Sequence, residues 1–303
     1  MLTRTRRQVM AGLMALTGAA GLPGCAASPV SRLPGPASPS DLRVASFNIR
    51  YLDLTRSGQD GGRSLAAWEA RRAVVGAVLS AIGADIIAFQ EMESWTGQPQ
   101  AGPPLQRRWL SRHLPGYAVA AESCLDGRES GQPIFYRAVR FTPLEACVRD
   151  LGDAAGSAGA FAGYGDHVAS ARLRDRETGR PLTVLNLHLH FSDRLRRESG
   201  ARMAAALARQ AMAHGDDVIV LGDMNALARS RPMRVLALAG LTPVPASGAS
   251  FHFNTGIHAF GAIDHVLHGP GFRALGPARI LRARSGHVWP SDHYPVFADL
   301  GPA

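Results

Sequence analysis

The sequence contains no lysine, only three cysteines and, after its first 25 residues, no long apolar run. All 33 basic residues are therefore arginine, which reflects codon usage more simply than a binding function. The cysteines Cys25, Cys124 and Cys147 form no Cys/His cluster with the spacing of metal ligands, which argues against a structural zinc site. Beyond residue 25 no apolar stretch is long enough to span a bilayer as a helix. No internal repeat is present.

The composition indicates a globular protein, because 46% of the residues are hydrophobic and only 19% are charged. A length of 303 residues allows one large two-layer domain or two small ones. The formal charge of +9 favours anionic partners such as nucleic acid, phosphorylated metabolites or anionic lipid. No sustained basic patch is interleaved with aromatic residues, so charge alone is weak evidence for a nucleic-acid function.

Residues 1–25 have the features of an export signal with a lipobox-like end. Three early arginines precede an apolar stretch from Val9 to Leu22, and the signal closes on Leu22-Pro23-Gly24-Cys25. Arg6-Arg7 resembles a twin-arginine signal, although the rest of that motif matches poorly. We expect an exported protein that is periplasmic or anchored to a membrane through a lipidated Cys25.

The mature chain is expected to consist of a tether and one domain. Residues 26–41 are rich in proline and read as an extended, semi-rigid tether. The domain then spans residues 42–303, and we expect it to be monomeric. In an oxidising compartment Cys124 and Cys147 can form a disulfide, with two buried free thiols as the alternative.

Hydrophobic periodicity divides the domain into strands and helices. Helices are predicted at residues 64–82, between Trp95 and Pro115, and at 195–213 and 231–239. Strands are predicted at residues 42–48, 85–89, 117–124, 133–147, 167–173, 181–190, 261–267 and 294–300, with a further central strand starting at Asp217.

The central stretch runs from Asp217 to Asn225. Its β-branched and aliphatic run suits a strand buried on both faces, and the run stops at Gly222. Asp223 and Asn225 follow two residues apart, so their side chains point the same way on an extended segment. A carboxylate and a carboxamide held there can bind a cation and orient an oxygen, although a polar turn that caps the strand is an alternative.

Polar residues recur at the ends of the predicted strands. Each one alone has an ordinary structural explanation, such as a helix cap, a turn or a buried histidine. Together they require many independent coincidences. The set comprises Asn48, Glu91, His188, Asp223, Asn225, Asp264, Asp292 and His293.

These residues occur in motifs that resemble the endonuclease/exonuclease/phosphatase superfamily, in the family's order over about residues 42–300. The motifs are Ser46-Phe47-Asn48, Gln90-Glu91, Asn186-Leu187-His188, Gly222-Asp223-Met224-Asn225, Ile263-Asp264-His265 and Ser291-Asp292-His293. The resemblance implies the DNase-I-like α+β fold, a two-layer β-sandwich flanked by helices in four α/β/β/α layers. Leu187 and His190 depart from the usual pattern, which leaves the fine choice of substrate open.

The resemblance also implies a hydrolase of phosphate esters that uses Mg²⁺ or Mn²⁺ and attacks in line with an activated water. The metal ligands implied are Glu91, Asn48 and Asp292. Oxygen-rich carboxylate sites do suit hard cations. The substrate class stays open among phosphodiesters, nucleic acid and small phosphomonoesters.

The same resemblance implies a role for each remaining polar residue. Asp223 would orient or deprotonate the water, and Asn225 would fix its position. His293, backed by Asp264, would stabilise charge on the phosphoryl group or relay a proton, while His188 would bind the same phosphate. His265, His190, His252 and His287 are expected to be bystanders, with His190 or His252 the ones that could touch substrate.

Two other classes of function remain as alternatives. An exported binding module that retains the fold without catalysis would have lost Glu91 or His293, and both are present. A lipid-directed phosphodiesterase would carry an exposed aromatic hairpin, and the sequence shows no convincing one.

Overall fold

The computed structural model describes residues 31–56, 62–95, 103–122, 130–150 and 167–303. The predicted export signal, Cys25 and Cys124 lie outside these residues. Within them the helices are α1 (Leu65–Ile82), α2 (Leu105–His113), α3 (Arg194–Ala213) and α4 (Arg231–Ala237). None of these helices is both long enough and apolar enough to cross a membrane.

The strands follow the predicted order, with short strands added between them. They are β1 (Leu42–Asn48), β2 (Leu52–Asp53), β3 (Ile86–Gln90), β4 (Ser94–Trp95), β5 (Tyr117–Ala120), β6 (Ile134–Arg137), β7 (Phe141–Asp150), β8 (His167–Asp175), β9 (Pro181–His188), β10 (Asp217–Asp223), β11 (Thr242–Pro243), β12 (Asp264–His268), β13 (Phe272–Ala274), β14 (Arg279–Ile280) and β15 (Val296–Pro302).

Two mixed sheets contain most of these strands. The first has the order β13-β15-β1-β3-β6-β5, with β14 also paired to β15. The second has the order β11-β12-β10-β9-β8-β7. Each sheet has one parallel pair near its middle, β1 with β3 in the first and β9 with β10 in the second. The carboxyl ends of the strands in each pair therefore lie side by side at one edge of their sheet.

Three apolar clusters join the layers. Val44 and Ile86 of the first sheet pack with Val184 and Leu221 of the second, so the sheets face each other. A second cluster packs the outer face of the first sheet against α1 and α2, and a third packs the second sheet against α3 and α4. The predicted four-layer α/β/β/α arrangement is therefore confirmed.

The prediction of one strand over residues 133–147 is wrong. The chain turns at residues 138–140 and divides the segment into β6 in the first sheet and β7 in the second. Apolar residues continue through the turn, so periodicity gave no break, yet Val139 is 78% exposed. The strands predicted at 261–267 and 294–300 begin two or three residues later, at Asp264 and Val296.

The disulfide stays a prediction. Cys147 lies on β7 and its thiol is free in this structure. Its proposed partner Cys124 falls outside the described residues.

Candidate functional site

The first sheet brings Asn48 and Glu91 together. Asn48 is the last residue of β1 and pairs in register with Gln90, the last residue of β3. Glu91 follows with a φ of 57°, a left-handed conformation that ends the strand. The Glu91 carboxylate accepts hydrogen bonds from Asn48 Nδ2 at 3.2 Å and from the Tyr51 backbone N–H at 3.3 Å.

The second sheet places His188, Asp223 and Asp264 in one row. Asp223 pairs with His188 on β9 and with Asp264 on β12. The strand before them can pair this closely only because residue 222 is glycine. A Cβ atom at Gly222 would lie 2.1 Å from the carbonyl oxygen of Leu187.

Asn48 connects the two sheets at this edge. Besides Glu91, its Nδ2 contacts Asp223 Oδ2 at 3.1 Å, and its Oδ1 accepts the Arg50 backbone N–H at 3.0 Å. His188 Nε2 lies 3.7 Å from Asp223 Oδ2 and 4.0 Å from Glu91 Oε1. Two carboxylates from different sheets therefore share one neighbourhood with an amide and an imidazole.

His293 enters the cluster from the loop before β15. Its Nδ1 lies 2.9 Å from Asp264 Oδ2, and its Nε2 lies 3.7 Å from Asp223 Oδ2. Burial alone would lower the pKa of His293, but the Asp264 and Asp223 carboxylates outweigh it and raise that pKa to about 10. Nδ1–H therefore donates to Asp264, and the second ring nitrogen faces Asp223.

The buried carboxyl of Asp223 is electrostatically unusual. Burial and the nearby Asp264 charge raise the pKa of Asp223 to about 6, although His293 and His188 act in the opposite direction. Its Oδ1 accepts the backbone N–H of Asn225 at 2.9 Å. A carboxylate with this pKa can accept a proton near neutral pH.

Ser250, which the sequence did not single out, holds Asp264 and His293 in place. Its Oγ accepts the backbone N–H groups of Ile263 and Asp264 at 2.9 and 3.1 Å. Its carbonyl oxygen accepts the Tyr294 N–H at 2.7 Å. Ser250 is fully buried and lies in a segment with no periodic pattern, so sequence analysis had no signal for it.

Asp292 lies beside Arg50, a second residue that the sequence did not single out. Arg50 Nε lies 3.4 Å from Asp292 Oδ2, and Ser291 Oγ contacts Asp292 Oδ1 at 3.2 Å. Although burial acts to raise it, the pKa of Asp292 is lowered by Arg50 and by His293. The buried Arg71 guanidinium binds the carbonyl oxygens of Arg50 and Pro290, which fixes both loops.

Asn225 lies next to the cluster, but its amide is engaged with the chain. Its Nδ2 donates to the Leu189 carbonyl oxygen at 2.9 Å, and its φ of 46° is left-handed.

Three of the four histidines expected to be bystanders make contacts within the chain. His265 contacts the Ala226 carbonyl oxygen, and His190 Nδ1 accepts the backbone N–H groups of Ser192 and Asp193 just before α3. His252 is buried against Tyr294.

The donor atoms fit a hard divalent cation. Asp223, Asp264 and His293 place polar atoms within 4.8 Å of one another, and because the His293 ring is protonated the atoms available to a cation are carboxylate and amide oxygens. Asp264 Oδ1 is buried without a hydrogen-bond partner, and the Glu91 side chain is 19% exposed. Several carboxylates concentrated at one point, with oxygen ligands predominating, suit Mg²⁺ or Mn²⁺ better than zinc.

The chain belongs to the endonuclease/exonuclease/phosphatase family, because the sequence model of that family matches residues 45–293. Members of this family hydrolyse phosphate esters and usually use divalent metals. The resemblance drawn from the six sequence motifs is therefore confirmed. No curated protein sequence matches the chain.

Solved structures share the fold at low sequence identity. The mannosyl-6-phosphatase Bt3783 of Bacteroides thetaiotaomicron is 22% identical, with a TM-score of 0.67 over 86% of this chain and 99% of that chain. A family protein from the same species is 21% identical, with a TM-score of 0.67 over 87% and 98%. D. rerio TDP2 in complex with a single-strand DNA product is 14% identical, with a TM-score of 0.60 over 86% and 99%.

Proposed function

We propose that this protein is a metal-dependent phosphoesterase in which a water attacks the phosphorus in line with the leaving group. One observation carries the proposal: Asn48, Glu91, His188, Asp223, Asp264 and His293 meet at one rim where the two sheets face each other. The fold similarity to a mannosyl-6-phosphatase and to TDP2, a phosphodiesterase solved with a single-strand DNA product, supports phosphate-ester chemistry in general. A binding module without catalysis would not need this buried set of charges.

The attacking water is assigned to Asp223. Its buried carboxylate has a pKa raised to about 6, so it is ionised at neutral pH and basic enough to accept a proton. The Asn225 N–H fixes one carboxylate oxygen, which leaves Oδ2 facing Asn48, His188 and His293. The Asn225 side chain holds its loop against the Leu189 carbonyl oxygen. We assign it the role of fixing the position of the water by keeping this loop in place.

The phosphoryl oxygens are assigned to His293 and His188. Asp264 keeps His293 protonated and fixes its ring through the 2.9 Å contact, so Nε2–H can donate to developing negative charge. His188 Nε2 lies on the other side of Asp223 Oδ2 and can donate to the same group. Donors fixed before the reaction in a water-poor site stabilise the transition state most effectively.

A divalent cation would be held by Glu91, with Asn48 and Asp292 beside it. When bound, such a cation polarises the phosphoryl group and neutralises part of its charge. Glu91 is suited to this role because its carboxylate is open to solvent and fixed by two N–H donors. Asp292 is engaged with Arg50, so we assign it the weaker contribution.

The test is a panel of phosphodiesters, phosphomonoesters and single-stranded oligonucleotides, assayed on residues 26–303 with magnesium, with manganese and with chelator. Hydrolysis of at least one class that chelator abolishes is the expected result. The Asp223→Asn protein is the control for contaminating activity. Undiminished hydrolysis in chelator would contradict the metal requirement, and no hydrolysis of any class would contradict the enzyme assignment.

We also propose that the protein is exported and tethered through a lipidated Cys25. The arginines, the apolar stretch and the lipobox-like Leu22-Pro23-Gly24-Cys25 support this. Mass spectrometry of membrane and soluble fractions from cells that make the full chain is the test. A mature chain that starts at a diacylated Cys25 is expected, whereas an intact Met1 in the cytosol would contradict the proposal.

A further inference from the structure

The segment that precedes β1 lies against the domain. The Leu33 backbone N–H donates to the Ala81 carbonyl oxygen at 2.9 Å, in the last turn of α1. The buried guanidinium of Arg43 donates to the Pro34 carbonyl oxygen. Leu33 also packs against the apolar cluster on the outer face of the first sheet. The tether that could separate the domain from an anchor at Cys25 is therefore only the part of the chain before Leu33.

Leu33 lines a groove that combines apolar and basic residues. The groove has a volume of about 400 Å³, which is within the range of sites for small molecules. No residue of the proposed catalytic site lines it. We call it the tether groove, and its main lining residues are Leu33, Ile280, Leu281, Phe297, Arg279 and Arg282.

Arg282 supplies a positive charge without a counter-ion in this groove. The φ of Gly248 is 96°, and a Cβ atom there would lie 2.1 Å from Arg282 Nη2, so the guanidinium can approach this backbone because residue 248 is glycine. Arg279 is paired with Asp299 at 2.7 Å. Among the residues that the structure describes, no carboxylate lies within ion-pair distance of Arg282 and its side chain makes no hydrogen bond.

The edge of the domain that borders the groove is basic. Residues 265–291 contain no aspartate or glutamate and include Arg273, Arg279, Arg282 and Arg284. The first three of these arginines are exposed. Exposed basic residues attract anionic surfaces, and an apolar floor binds a hydrocarbon chain. The groove therefore favours an amphiphile with an anionic head group and an apolar tail, whereas nucleic acid would leave the apolar floor unused.

The length of the preceding segment indicates which amphiphile is near. Eight residues lead from Cys25 to Leu33, and eight residues span at most about 29 Å when fully extended. A lipid on Cys25 would therefore keep the groove within about 29 Å of the bilayer that holds the anchor. Anionic phospholipids are the amphiphiles that such a bilayer presents at its surface.

We propose that the tether groove binds an anionic phospholipid of the anchoring bilayer, with the lipid phosphate at Arg282 and an acyl chain on the apolar floor. The choice of ligand rests on the proposed lipid anchor. The contact is independent of the proposed phosphoesterase activity, because no residue of the catalytic site lines the groove.

Sedimentation with vesicles tests the groove on the chain that begins at residue 26, which lacks Cys25 and keeps every residue that the structure describes. The vesicles contain phosphatidylcholine alone or equal parts of phosphatidylglycerol and phosphatidylcholine. We expect binding to the anionic vesicles that weakens as salt is added, because salt screens exposed charges. Equal binding to both kinds of vesicle, or binding to neither, would overturn the proposal.

Variants then locate the lipid. Arg282→Gln should lower the partition coefficient about fivefold, which corresponds to the roughly 1 kcal/mol that one arginine contributes near an anionic surface. Leu33→Ser removes apolar surface from the floor without changing a strand, so it should lower the coefficient at least about threefold. The matched controls are Arg174→Gln on β8 and Val139→Ser, which replace exposed residues outside the groove. Unchanged binding in both groove variants, or an equal fall in the controls, would contradict the assignment.

The other occupants and the proposed enzyme fail in different ways. Binding of a single-stranded oligonucleotide that Arg282→Gln weakens and Leu33→Ser does not, with no preference for anionic vesicles, would assign the groove to nucleic acid and overturn the proposal. Both groove variants should hydrolyse soluble phosphate esters with wild-type kcat/KM. Hydrolysis without vesicle binding would retain the enzyme and overturn the lipid site. Vesicle binding that depends on Arg282, without hydrolysis of any ester, would retain the lipid site and remove the enzyme.

Discussion

The parallel pair β1–β3 delivers Asn48 and Glu91 to the rim, whereas the pair β9–β10 delivers His188 and Asp223. The Glu91 side chain is 19% exposed, whereas the Asp223 side chain is 2% exposed. In the mechanism we propose, the solvent-open Glu91 carboxylate exchanges a hydrated cation, and the buried Asp223 carboxylate, with its raised pKa, accepts a proton. Two similar strand pairs would then provide different chemistry because their end residues differ in burial.

The largest expected loss follows from removing the buried charge of Asp223. Asp223→Asn keeps the size and most hydrogen bonds but cannot accept a proton, so kcat should fall by about 10²–10⁴-fold. Asp217→Asn is the matched control, because Asp217 lies at the opposite end of β10 and pairs with Arg180. Steady-state turnover, with circular dichroism to verify folding, is the measurement. Near-normal turnover by a folded Asp223→Asn protein would remove this assignment.

His293→Ala should lower kcat by about 10²–10³-fold, as expected for loss of one preorganised donor. Asp264→Asn should have a smaller effect in the same direction, because it weakens only the support of the His293 ring. The effects of residues that act as a unit are not additive. The kcat of the double variant Asp223→Asn/His293→Ala should therefore be little lower than that of the less active single variant. Fully multiplicative losses would show that the two residues act independently of each other.

Ser250→Ala tests the two strand pairs separately, because it changes contacts at the start of β12 and leaves the β1–β3 pair as it is. The change leaves the buried N–H groups of Ile263 and Asp264 without their acceptor, so Asp264 and His293 lose their fixed geometry. We expect kcat to fall about tenfold with KM nearly unchanged, a loss of about 1.4 kcal/mol in the transition state. Ser250→Thr should rescue kcat because it keeps the hydroxyl.

Ser64→Ala is the control for stability loss, since Ser64 is a buried serine whose Oγ accepts the N–H of Ala67 at the start of α1. Equal kcat losses in Ser250→Ala and Ser64→Ala would reduce Ser250 to a general structural role.

The last effect concerns the free energy of unfolding in the absence of metal, not turnover. With its pKa raised to about 6 from an unfolded value near 3.9, Asp223 binds a proton more readily in the folded state. The ionised group therefore destabilises the fold above pH 6, and this penalty disappears as the pH falls through 6 toward 4. In chelator, Asp223→Asn should be about 3 kcal/mol more stable than wild type at pH 8. The measurement is the free energy of unfolding in urea of wild type and of Asp223→Asn, at pH 8 and near pH 4. A difference between the two proteins that does not narrow at the lower pH would contradict the prediction.

Much of the fold could be predicted because the strands that carry the site are continuous apolar runs with sharp polar ends. The β10 run ends at Gly222, and Asn48 likewise ends β1. The turn at Val139, where the chain passes from β6 in one sheet to β7 in the other, could not be predicted. In the sequence, an apolar residue that is exposed in a turn cannot be distinguished from an apolar residue in a strand. Ser250 was missed because its importance lies in contacts with residues 13 to 44 positions away, which no local pattern encodes.

The division of work between the two strand pairs is tested most directly by turnover as a function of magnesium concentration. The comparison uses wild type, Glu91→Gln and Asp223→Asn, with Glu69→Gln on the exposed face of α1 as the control. We predict that magnesium restores much of the Glu91→Gln activity at higher concentration, because that change weakens a cation ligand. Asp223→Asn should keep its lowered kcat at every magnesium concentration. Rescue of Asp223→Asn by magnesium, or a Glu91→Gln protein that magnesium does not rescue, would contradict the account.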